Sequence, residues 1–186
     1  MSAIFDPNVG IGFNLMRHTI GASDLSSVPY SYDNQTAPDP QLKNFNLLAQ
    51  GRAMTALIKQ ATNINSAIKL LGSVWSPPGW MKLNGVQLGT TVNNNLNPAY
   101  LISYAEYFVK YIQKFAAQGV TVNAITIQNE PLNSNAGFPT CYISADNATV
   151  CCIDLPELYS NRLALTDHRT PSKITSDLLS KTVPQM

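Results

Sequence analysis

The sequence predicts an α/β chain in which strands and helices alternate around a parallel sheet. Three observations predict it. Short apolar, β-branched runs occur near residues 13–20, 67–75 and 122–128. Two longer stretches with helical spacing, 47–62 and 98–118, lie between them. Each connection is long enough to cross over and return, so the strands should run in parallel.

The elements follow in order. Phe13–Ile20 reads as strand, closed by Gly21 and Ser23-Asp24. Residues 27–41 are rich in Ser, Pro, Asp, Asn and Tyr and form a loop. Leu48, Met54, Leu57, Ile58 and Ala61 mark the apolar side of the first long helix. Ala67–Trp75 is the second strand, cut off by Ser76-Pro77-Pro78-Gly79-Trp80. An Asn- and Gly-rich loop covers 83–97. Asn97 is the expected N-cap of the next helix, with Pro98 at its first position. Its apolar face holds Leu101, Ala105, Phe108, Ile112 and Phe115, and Gly119 is its expected stop. Val122–Gln128 alternates as a buried strand, which Pro131 should stop because it lacks an N–H. No convincing fourth βα unit follows.

Composition excludes several classes of function. The net charge is +1, only 12% of the 186 residues are charged, and no basic run suggests a nucleic-acid partner. No apolar stretch has membrane-spanning length, so no transmembrane segment is expected. The first residues, Met1–Asp6, have no basic region and no apolar core, so no signal peptide is expected in them. Cys141, Cys151 and Cys152, with His18 and His168, lack metal-ligand spacing, and no metal is expected. Two glycosylation acceptors, Asn34-Gln35-Thr36 and Asn147-Ala148-Thr149, lean toward a secreted protein.

The chemistry sits at the strand ends. Asn129-Glu130-Pro131 places a carboxylate where a strand opens into a loop, which in (β/α)₈ barrels is the catalytic face. Alone, that tripeptide also fits a capping Glu in a turn. Arg17, His18 and Asp24 close the first strand, and Trp75 and Trp80 flank the end of the second. Indole rings stack on sugar C–H faces while Asp, Asn and Arg bond the hydroxyls, so the set suits a carbohydrate. For Trp75 and Trp80 the alternative is core packing. For Arg17 it is a salt bridge to Asp24.

Three motifs carry a resemblance: Met16–Ser26, Ser76–Lys82 and Gln128–Asn133. In this order they resemble family-30 glycoside hydrolases, over roughly residues 8 to 146. Gly89–Leu96 resembles the fungal endo-β-1,6-glucanase branch. The resemblance implies a retaining glycosidase on a partial (β/α)₈ TIM barrel, about strands 2 to 4. That catalytic part would span 1–146, with a divergent, poorly ordered tail at 147–186. It implies Glu130 as general acid/base. It makes Asn129 the contact near the sugar 2-hydroxyl, and Asp24 and Trp75 parts of the glucose subsite. Arg17 would support the nucleophile from a strand end, and Trp80 is a further substrate-cleft candidate. No cofactor is implied, and the partner is a β-glucan or another β-glucoside.

The family nucleophile is a Glu well downstream. Of the later acids, Asp146, Asp154, Glu157, Asp167 and Asp177, none ends an apolar strand. Both ends of the barrel are expected to be missing, and the full-length form is expected to be secreted. Glucosylceramide hydrolysis and non-catalytic glucan binding are the alternatives.

Overall fold

The computed structural model describes residues 1–152. Its elements run α1 (Ser2–Phe5), β1 (Leu15–Ile20), α2 (Leu48–Ile64), β2 (Lys69–Val74), α3 (Leu101–Ala117) and β3 (Ala124–Thr126). The strands form one sheet in the order β1-β2-β3, and both pairings are parallel. A long helix crosses over within each β–α–β step. This βαβαβ order is the repeating unit from which a (β/α)₈ barrel is built.

The two faces of the sheet differ. His18 and Gly72 meet the helix layer. His18 stacks on Phe115 with ring centroids 5.1 Å apart. A Cβ at Gly72 would lie 2.6 Å from the Tyr111 hydroxyl, so only glycine lets α3 approach this closely. The opposite face carries Arg17, Ser73 and Thr126, which are joined by hydrogen bonds. Period-2 alternation along each strand separates a packed face from a polar one.

Three tyrosines on α3 anchor it to the sheet and its loops. Tyr104 Oη donates to Ile127 O at 2.7 Å. Tyr107 Oη accepts from Tyr32 N at 3.0 Å. Tyr111 Oη and His18 Nε2 lie 2.5 Å apart. At spacings of three and four residues these side chains share one helix face. All three are fully buried, because each hydroxyl finds a partner. The sequence pattern favoured Leu101 and Ile112 on that face; both are only partly buried.

Several boundaries differ from expectation. β3 is three residues long and ends at Thr126, five positions before Pro131. Asn123 explains its late start: its side-chain oxygen accepts from Leu70 N at 2.8 Å, in place of a main-chain ladder bond. β1 begins at Leu15 rather than Phe13. Asn97 does cap, accepting from Ala99 N at 3.0 Å, but it caps a 3₁₀ turn, Pro98–Tyr100, that leads into α3. Gly119 ends that helix with φ +76°, a conformation glycine adopts without strain.

Residues 145–152 are helical. The boundary expected at 146 lies within this stretch. Cys141, Ile143 and Cys151 belong to the core. Asp154, Glu157, Asp167, His168 and Asp177, with most of the tail expected at 147–186, lie outside the described residues.

Candidate active site

The site begins with Arg17. It is the third of six residues in β1, not a strand-end residue, and Thr19 and Ile20 continue past it. Its long side chain makes up the difference, since each strand residue rises only about 3.3 Å. Arg17 Nη2 donates to Ser73 Oγ at 2.9 Å and to Asn129 Oδ1 at 2.6 Å. Its guanidinium also lies 4.9 Å from the Trp75 ring centroid, a cation–π contact. One cation thus joins all three strands at their C-terminal side. Asp24, exposed in the loop after β1, has no hydrogen-bond partner among the described residues. The Arg17–Asp24 salt bridge allowed by the sequence is not the contact Arg17 makes.

Trp75 follows β2 directly and is half-buried. Gln128 fixes the chain on either side of it. Its amide nitrogen donates to Trp75 O at 2.6 Å and to Asn129 O at 2.9 Å. Asn129 N donates to Val74 O at 2.7 Å, which ties the chain beyond β3 to the end of β2. Trp80 sits elsewhere. It is 6% exposed, belongs to the core and meets Tyr100 edge-on at 5.1 Å. Core packing, the alternative for Trp80, is what the fold adopts, because Gly79–Met81 coil into a 3₁₀ turn that carries the ring inward.

Glu130 is exposed, with φ +47°. The backbone turns, Asn133 N donates to Glu130 O at 2.9 Å, and Asn133 Nδ2 donates to Glu130 Oε2 at 2.8 Å. Sequence reasoning missed Ser73, Thr126, Gln128 and Asn133. For Ser73 a signal existed: it shares the face of Trp75 at a spacing of two. Asn133 stood three residues after Glu130, the spacing of a turn-closing contact.

His18 faces the helices, away from this cluster. Burial pushes its imidazole down to about 4, offset in part by a backbone hydrogen bond at Thr19. Among the described residues no three His, Cys, Asp or Glu side chains gather as a metal site. No described helix is long and apolar enough to cross a membrane.

Parallel strands with alternating helices give the βα order of a (β/α)₈ barrel, and Arg17, Trp75 and Asn129 meet past the ends of β2 and β3. The chain belongs to glycosyl hydrolase family 30, and residues 2–142 match that family's TIM-barrel domain. It is 55% identical over 141 residues to the endo-1,6-beta-D-glucanase of Neurospora crassa, covering 75% of this chain and 29% of that protein. It is 34% identical over 136 residues to the lysosomal acid glucosylceramidase of Mus musculus, covering 72% of this chain and 26% of that protein. Among solved structures, an endo-β1,6-glucanase superposes with a TM-score of 0.73 at 28% identity, covering 88% of this chain and 35% of that one. The chain thus spans under a third of the length of the curated relatives it matches.

Proposed function

We propose that this chain carries the acid/base part of a retaining endo-β-1,6-glucanase, a secreted enzyme in its full-length form. The observation that carries this reading is the Arg17–Asn129 hydrogen bond with Trp75 alongside. It joins an indole surface to the amide that directly precedes Glu130 in the chain. In the first step Glu130 protonates the leaving glycosidic oxygen while a second carboxylate attacks the anomeric carbon. In the second step Glu130 takes a proton from water, and the hydroxide displaces that carboxylate and regenerates it. Asn129 would bond the sugar near its 2-hydroxyl, and Asp24 would bond another hydroxyl of the same glucose. Arg17 would support the nucleophile. We assign no nucleophile among residues 1–152.

The higher identity to the glucanase than to the glucosylceramidase supports a polysaccharide over a lipid glucoside. The test is incubation with β-1,6-glucan and with glucosylceramide, followed by Glu130→Gln. Binding of insoluble glucan without turnover is expected for this chain, with retention lost in Trp75→Ala. Hydrolysis that disappears in Glu130→Gln would overturn the expectation of no turnover. Retention that survives Trp75→Ala would overturn the sugar-binding assignment.

A further inference from the structure

Two loops flank the candidate acid/base, and a single buried cation joins them. Lys82 lies in the connection between β2 and α3, just after the Gly79–Met81 turn, and is 3% exposed. Its ammonium has three donors, and each meets a carbonyl: Gln87 O at 3.1 Å, Leu88 O at 3.2 Å and Thr140 O at 2.7 Å. The first two lie in its own loop, the third in the loop after β3. Further bonds zip the same loops together. Gly89 N donates to Phe138 O at 3.0 Å, Tyr142 N to Asn94 O at 2.8 Å, and Asn94 Nδ2 to Thr140 Oγ1 at 3.0 Å. The fit leaves no slack, for a Cβ at Gly89 would lie 1.8 Å from Asn135 O and 2.1 Å from Thr140 Oγ1.

From Thr140 the contacts run to the carboxylate without a gap. Thr140 Oγ1 donates to Asn135 O at 3.0 Å. Asn135 N donates to Asn133 Oδ1 at 2.8 Å, which orients that amide so that its nitrogen reaches Glu130 Oε2 at 2.8 Å. An asparagine with its oxygen satisfied by a main-chain N–H has its nitrogen aimed by elimination.

We propose that Lys82, Gly89 and Asn133 form a loop clamp that positions Glu130, holding Oε2 on the Asn133 amide and leaving Oε1 to exchange the proton. Lys82 and Gly89 are positioning residues that act through Thr140, Asn135 and Asn133. The catalytic role of Oε1 rests on the reading of Glu130 as acid/base, whereas the clamp itself does not. The geometry explains how an exposed carboxylate on a loop is kept in one place, which proton transfer to a bound substrate requires.

The test reads the side-chain amide of Asn133 by ¹H–¹⁵N NMR of the full chain across a pH titration. In the wild type its nitrogen-bound proton should shift as Glu130 ionises, and Glu130→Gln should abolish that shift. Lys82→Met and Gly89→Ala, both remote from the carboxylate, should each abolish or strongly reduce it. The rest of the spectrum should remain dispersed. If Lys82→Met does not fold, Gly89→Ala decides, since it removes no hydrogen-bonding group. A wild-type amide that ignores pH, a shift that persists in Glu130→Gln, or a shift unchanged in a folded Gly89→Ala would overturn the clamp. Failure to retain insoluble β-1,6-glucan in a chain whose Asn133 amide follows Glu130 would count against the proposed function and leave the clamp standing.

Discussion

Arg17 shows what a single residue does at this site. Its guanidinium satisfies Ser73 and Asn129 and lies on Trp75. Lysine keeps the charge but loses the planar fork and the stacking. Arg17→Lys should therefore weaken glucan binding by about tenfold, the equivalent of roughly 1.4 kcal/mol, while lowering the melting temperature by only a few degrees. Calorimetric titration of a β-1,6-linked oligosaccharide would check this, and unchanged affinity would refute it. His18 governs a different property. Burial holds its imidazole down to about 4, so the unfolded chain takes up the proton first. Stability is complete above the unfolded value of 6.5 and is lost as pH falls toward 4, by at most about 3 kcal/mol. Melts at pH 7 and pH 4.5 should show this loss, and His18→Gln should reduce it. An equal loss in the variant would place the acid sensitivity elsewhere.

Among the elements, α3 and β3 show what the sequence made legible and what it hid. The helix was readable from its apolar spacing and its cap. Asn97→Ala should cost about 1 kcal/mol, because the Ala99 N–H loses its acceptor; denaturant melts would measure it. The partners of the three tyrosines were not readable, because each lies on another element, up to 93 positions away in sequence for His18 and Tyr111. β3 looked longer than it is, since alternation in Val122–Gln128 cannot reveal that the Asn123 side chain replaces a ladder bond. The positions of Glu130 and Trp75 just past their strands were legible as polar and aromatic residues after apolar runs. Trp80 was misleading for the same reason. A tryptophan after Pro-Pro-Gly reads as loop whether the following turn points outward or into the core. The clamp from Lys82 to Asn133 was invisible, for it consists almost wholly of side chains meeting backbone carbonyls across 58 positions.

At the scale of the whole molecule, β1 and β3 are the outer strands of the described sheet. Unpaired strand edges offer hydrogen-bonding groups to other chains. Leu15, at 67% exposure, stands on the polar face beside Arg17 as an uncovered apolar group. The described residues are expected to self-associate as concentration rises, and Leu15→Lys should suppress it. Light scattering from micromolar to millimolar would decide, and a monodisperse monomer that melts cooperatively would refute the expectation. The left-handed backbone at Glu130 also bears on the whole molecule. Such a conformation costs an L-residue other than Asn, Asp or Gly about 1 kcal/mol. Glycine or asparagine at 130 would thus be favoured wherever selection acted on persistence of the fold alone. On the proposed reading of Glu130 as acid/base, a lineage freed from that task is expected to lose this glutamate early.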